Sequence, residues 1–102
     1  MKFLVLGYDG KDEGALDRRM AVRADHFKNV KSVKDRGGSV ICAGAITDDD
    51  EKMIGSYLVM DFENREKLDE YLETEPYVVN GVWQEVKVEN VKVAIFNDAE
   101  VK

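Results

Sequence analysis

This chain of 102 residues has one cysteine, one histidine, one proline and one tryptophan. With Cys42 alone there is no internal disulfide. One thiol and one imidazole are too few for a typical zinc or iron site. The DDDE run at 48–51 lacks the glycine and the spaced acids of a calcium loop. Nor is there an excess of basic charge: 15 Lys and Arg face 21 Asp and Glu, for a net charge of −6. No basic stripe exists to displace counterions from phosphates, which argues against nucleic acid and against an anionic membrane as partners. Long apolar runs are missing too. The opening MKFLVLGYDG is too short in its apolar part for a signal-peptide core or a bilayer span. GYDGKDEG has glycines but no Lys-Ser or Lys-Thr, and its acids would repel a phosphate. The expectation is a cytoplasmic protein working without metal or redox cofactor.

What remains is an ordinary globular composition, 44% hydrophobic and 35% charged, in a chain of one-domain length. KFLVLGY reads as a buried strand closed by Asp9-Gly10. A helix follows from Glu13 or Leu16 to Arg36, stopped by Gly37-Gly38. SVICAGAI reads as a central strand, in which Cys42 would be a buried, inert thiol, and it forms a hairpin with GSYLVMDF. NREKLDEYLETE is a second helix with Leu68, Tyr71 and Leu72 on one face, and Pro76 ends it. Trp83 to Phe96 is a last strand. Its valines change parity between Val88 and Val91, so a bulge or break is expected at Glu89-Asn90. The order βαββαβ is the ferredoxin-like α+β arrangement, an antiparallel sheet with two helices on one face. The domain is expected over 1–96, with 97–102 as a tail. The other face of the sheet needs cover, and a second copy of the sheet would supply it, giving a homodimer.

The single histidine stands in VRADHFKNV. At helical spacing, His26, Arg19 and Arg23 fall among Val22, Val30, Val33, Phe27 and Met20 within an arc of about 160°. Asp17, Arg18, Asp25 and Lys28 take the opposite side. A partly buried histidine bonded to backbone or water is one reading of that placement. A second feature offers another. Glu75 continues the stripe of Leu68, Tyr71 and Leu72 just where Pro76 breaks the second helix. An inward carboxylate is costly unless paired, and the imidazole of the neighbouring helix is a natural partner. The competing reading of Glu75 is a solvated residue in the loop after an acidic helix.

VRADHF, the AG of CAGAI, the GS of IGSYLV and EPYVVNGVWQEVKV occur in that order. Together they resemble the YCII-related family, small dimeric α+β barrel proteins in which VRxxH is followed by DPYxxxG. The resemblance spans roughly residues 2 to 93. It implies a pocket lined by a histidine and an acidic residue, falling here on His26 and Glu75. Arg23 matches the arginine of VRxxH, while Gly44, Ser56, Pro76, Tyr77 and Gly81 match further motif positions. Members have been proposed as enzymes, and one relative removes chloride from a chlorinated hydroxyquinone. The chain departs from the pattern in Glu75, which replaces the usual aspartate and is one methylene longer, in Ala45, which stands where a proline is common, and in the added tail NDAEVK.

A carboxylate bonded to one imidazole nitrogen fixes the tautomer and leaves the other nitrogen to move a proton. The site expected is therefore His26 and Glu75 as an acid–base dyad, with Arg23, Ser56, Tyr77 and Gly44 binding substrate. Ser56 would donate to a substrate oxygen. Tyr77 would do the same or pack the wall, and Arg23 would hold an anionic substrate or pair with Glu75. The chemistry implied is elimination, such as dehydrochlorination, or isomerisation of a small cyclic or aromatic compound. The alternative is a non-catalytic module that binds a small metabolite or dimerises, with the same pair serving structure. An open cavity with convergent polar groups would favour the first.

Overall fold

The computed structural model describes residues 1–101. Four strands, β1 (Lys2–Asp9), β2 (Ser39–Thr47), β3 (Met53–Asp61) and β4 (Trp83–Val91), form one antiparallel sheet in the order β2-β3-β1-β4. The helices are α1 (Ala15–Lys31), α2 (Arg65–Thr74) and the single turn α3 (Pro76–Val79). This is the ferredoxin-like α+β fold that the element order implies.

Alternation sets which side chains meet the helices. In β1, Phe3, Val5, Gly7 and Asp9 are buried while the intervening residues are only half-buried. Across the ladder, Gly7 lies opposite Ser56, and Val5 opposite Leu58. Ser56, Leu58 and Met60 of β3 therefore join the same buried layer. The helices complete that layer with Val33, Leu68, Tyr71 and Tyr77. The opposite face carries Leu4, Leu6, Tyr57 and Val59, all half-buried.

Local signals fix the helix ends. The first helix stops at Lys31, a 3₁₀ turn follows over Val33–Arg36, and Gly37 at φ 81° closes it in the left-handed region that glycine alone adopts freely. Asn64 caps α2 by accepting from the Lys67 amide at 3.0 Å. Not every residue on the apolar arc of α1 is buried: Met20 and Phe27, at its edge, are exposed.

Three expectations are corrected. β2 is an edge strand and Cys42 is exposed, because the strand order puts β3 and β1, not β2, in the middle. No bulge occurs at Glu89-Asn90: β4 pairs with β1 in continuous register from Glu85 to Val91, and the irregularity lies at the other end, where Trp83 pairs with Asp9 and Glu85 with Tyr8. The parity change means only that Val91, opposite Lys2, faces the other side of an edge strand from Val88. Finally, the strand ends at Val91 instead of running to Phe96. Ile95–Phe96 pairs with Ala99–Glu100 in a small separate hairpin, β5 and β6, turned by Asn97 and Asp98, both at positive φ.

Candidate functional site

The site is built where α1 packs against α3. Proline disfavours helical ψ in the residue before it, and Glu75 sits at φ −66°, ψ 118° between the two helices. In that conformation its carboxylate turns back over α3 as the N-cap, accepting from the Tyr77 amide at 3.1 Å. The same oxygen, Oε1, lies 2.5 Å from His26 Nδ1. Oε2 accepts from the Tyr71 hydroxyl and, at 3.5 Å, from Asn29 Nδ2. The longer side chain thus spans the gap to α1.

Glu75 has no solvent exposure and His26 only 5%. A fully buried carboxylate is tolerable because donors surround it on both oxygens. An ionised carboxylate only accepts, so this arrangement places the imidazole proton on Nδ1. Nε2 has no hydrogen-bond partner among the described residues. Burial pushes the Tyr71 phenol up, and the neighbouring Glu75 pushes it further, so Tyr71 stays a donor.

Tyr77 lies flat on the His26 ring, with centroids 4.0 Å apart and planes 13° apart. Trp83 meets both rings edge-on, at 6.0 Å from His26 and 5.6 Å from Tyr77. Aromatic packing therefore holds the imidazole plane while Glu75 holds its tilt. Beside Tyr77 is a second polar cluster. Arg19 reaches Asp9 through Nη1, at 3.1 and 3.2 Å from the two carboxylate oxygens, and Ser56 Oγ through Nη2 at 2.8 Å. Trp83 Nε1 also donates to Ser56 Oγ, at 3.2 Å. Burial raises the Asp9 carboxyl and the Arg19 charge pulls it back only in part.

A cavity of about 270 Å³ opens between α1 and the edge strand β2, bordered by Arg19, Arg23, His26 and the backbone of Gly44. The roles expected from sequence divide accordingly. His26 and Glu75 are in contact, and Tyr77 stacks on the imidazole without bordering the cavity. Gly44 lies under the Tyr57 ring, where a Cβ would come within 2.7 Å of the hydroxyl, so no side chain intrudes there. Arg23 does not pair with Glu75: its guanidinium stacks on Phe27, 4.4 Å from the ring centroid, at the cavity's rim. Ser56 is buried and accepts from Arg19 and Trp83; it does not line the cavity.

Sequence reasoning assigned no role to Asp9, Arg19, Tyr71, Asn29 or Trp83. Arg19 had a signal, since it lies inside the apolar arc of α1. Asp9 had one as well, continuing the alternation of Phe3, Val5 and Gly7. Among the described residues, no group of three or more His, Cys, Asp or Glu comes together in a way that could hold a metal ion. Larger clefts lie elsewhere among the described residues. One of about 680 Å³ is bounded by Lys2, Val91 and Val101 beside the terminal hairpin, and one of about 570 Å³ by Tyr8, Asp12 and Gln84; neither borders the dyad.

A family model described as the YCII-related domain matches residues 1–92. The chain is 26% identical over 98 residues to Protein YciI of Escherichia coli O6:H1, covering 90% of this chain and 97% of that protein. Protein YciI of Shigella flexneri matches to the same extent. Among solved structures, it is similar to 5-chloro-2-hydroxyhydroquinone dehydrochlorinase (TftG) from Burkholderia phenoliruptrix, in complex with 2,5-dihydroxybenzoquinone. That match has a TM-score of 0.75 at 26% identity, over 90% of this chain and 94% of the other. Rv0793 from Mycobacterium tuberculosis aligns with a TM-score of 0.50 at 15% identity, over the same shares, which bears on the fold alone.

Proposed function

The chain belongs to the YCII-related family, and from that membership and the geometry around His26 we propose an enzyme that moves a proton on a small cyclic or aromatic compound. One observation carries the reading: His26 borders a cavity while its Nδ1 is held 2.5 Å from a fully buried carboxylate. Glu75 directs the Nδ1 proton, so the Nε2 lone pair is the base. In the first step Nε2 takes a proton from a carbon next to a carbonyl, and the electron pair moves onto the carbonyl oxygen. Its return either expels chloride from the neighbouring carbon, which is elimination and leaves His26 to release the proton to solvent, or takes the proton back from His26 at a different carbon, which is isomerisation. The dehydrochlorinase similarity favours the first of these outcomes.

The cavity argues against a pair that serves structure alone, and comparing turnover in wild type and His26→Ala separates an enzyme from a module that only binds a small metabolite. We assign the open sheet face, with Leu4, Leu6, Tyr57 and Val59 half-buried, to contact with a second copy of this chain. The test of activity is direct. Chlorinated hydroxyquinols are offered to the protein and chloride release is followed by electrode, alongside deuterium exchange from D₂O into non-chlorinated analogues. Wild type should release chloride or wash in deuterium and His26→Ala should do neither. Equal rates in the two proteins would remove His26 from the chemistry.

A further inference from the structure

The cavity at His26 is the wrong charge for this chain. Acids outnumber bases by 21 to 15, yet the side chains bordering the cavity include two guanidiniums, an imidazole and no carboxylate. The polar cluster that meets the cavity through Arg19 is as lopsided in its hydrogen bonds. Arg19 is 3% exposed, and although Nη1 and Nη2 are taken by Asp9 and Ser56, its Nε is buried with no partner among the described residues. Tyr77, fully buried, has a hydroxyl with no partner among those residues either. Its ring centroid lies 4.9 Å from the Arg19 guanidinium carbon. Ser56 accepts from two groups that can only donate, Arg19 and Trp83, so its own O–H proton finds no acceptor in that pair. Buried donors left unspent cost stability, and nearly all such groups in folded proteins find a partner. What this cluster lacks is an acceptor.

We propose that the cavity is an anion site in which Arg19, fixed by Asp9 and Ser56, presents its Nε–H, with Arg23 at the rim, to an ionised oxygen of the substrate. The substrate class is thereby narrowed to small compounds carrying an enolate, phenolate or carboxylate oxygen. A cavity of about 270 Å³ accommodates a single ring. Asp9 is a positioning residue in this arrangement. Its two oxygens on Nη1, together with Ser56 on Nη2, fix the guanidinium plane and with it the direction of Nε. The inference rests on the reading of His26 as the proton carrier of this cavity, and gives the developing oxyanion of that chemistry its counter-charge.

The experiment reads binding, not turnover. Arginine Nε–H resonances are resolved in ¹H–¹⁵N spectra when the group is buried, and assignment comes from Arg19→Lys. Benzoate and 2,5-dihydroxybenzoquinone, both anions at neutral pH, are titrated against benzamide, a neutral match for benzoate. A Cys42→Ser background keeps the exposed thiol from adding to the quinone. The expected result is that at least one anion shifts the Arg19 Nε–H signal and binds about tenfold or more tighter than benzamide. Arg19→Lys should weaken that binding by about tenfold, because a lysine ammonium is claimed by Asp9 and has no Nε–H to offer. Arg23→Gln, half-exposed and safe for folding, should weaken it several-fold and serves if Arg19→Lys does not fold. The proposal is overturned if benzamide binds as well as either anion, if neither anion moves the Arg19 signal, or if the variants that fold bind like wild type. His26→Gln separates the two readings: retained anion binding with no turnover keeps both. An anion site in a protein whose His26→Gln variant turns over normally keeps this one and removes the other.

Discussion

Replacing Glu75 by alanine removes the acceptor for four donors at once: His26 Nδ1, the Tyr71 hydroxyl, the Tyr77 amide and, at 3.5 Å, Asn29 Nδ2. The site is fully buried, so water does not simply take over. Removing one partner of a buried, hydrogen-bonded set costs about 3–5 kcal/mol, against a total stability of about 5–15 kcal/mol for a domain of this size. Glu75→Gln should cost much less, about 1 kcal/mol. Its amide oxygen can face His26 and the Tyr77 amide while its NH₂ donates to the Tyr71 oxygen, which can turn its own hydrogen elsewhere. His26→Ala leaves Glu75 with Tyr71, the Tyr77 amide and Asn29, so it should cost about 1–3 kcal/mol. Urea melts at one fixed protomer concentration order the variants, each kcal/mol moving the midpoint by about 0.5–1 M. The reasoning fails if Glu75→Ala is milder than His26→Ala. It also fails if both lose equally and the double variant loses no more than either, since the pair would then be one folding unit and nothing else.

Three other outcomes are expected. Sedimentation at micromolar concentration should give a dimer, and Leu6→Lys on the open sheet face should give a monomer; a wild-type monomer removes the second copy from the account. The Asp9 carboxyl is raised by burial, so the folded state binds its proton more tightly than the unfolded chain does. Its contribution to stability is therefore fully present below the ordinary aspartate range and lost as pH rises through the folded value; Asp9→Asn should abolish that slope in urea midpoints taken from about pH 3 to 7. Asp12, lowered by its bond to Arg18, acts with the opposite sign and should keep its slope in that variant. Gly7→Ala would put a Cβ 2.2 Å from the Trp83 ring, and calorimetry should show a loss of about 1–3 kcal/mol as the indole is displaced; an unchanged melting temperature would mean the ring has room to move.

The βαββαβ order and the β2–β3 hairpin were legible because alternation and helical spacing are local properties. His26 and Glu75 were legible for a related reason: each continues an apolar stripe in which a polar residue stands out. What lay beyond the sequence depended on position in the sheet or on atoms that spacing ignores. SVICAGAI looks central because its composition is apolar, yet it forms an edge strand whose inner side borders the cavity. Asp9 reads as a turn residue because Asp-Gly is a turn pair, a signal that masks the alternation placing it inward. Tyr71 counted as apolar stripe, so its hydroxyl, one of the groups that make a buried Glu75 possible, went unread. The hairpin at Asn97-Asp98 rests on two positive-φ residues that no periodic pattern marks.

Trp83 is the only tryptophan in the chain, and it stands 6.0 Å from the His26 ring with its Nε1 bonded to Ser56. Indole emission is sensitive to polarity and is quenched by a neighbouring protonated imidazole. The protein therefore carries an unlabelled fluorophore against the very ring on which its chemistry is proposed to turn. Four tyrosines supply energy transfer to that one acceptor, and two of them, Tyr71 and Tyr77, bond to or stack on members of the dyad. Excitation at the red edge of the spectrum selects Trp83 alone, so its intensity is the natural readout for the ligand titrations proposed above. The packing of one indole thus offers a way to follow the occupancy of the site without a substrate in hand.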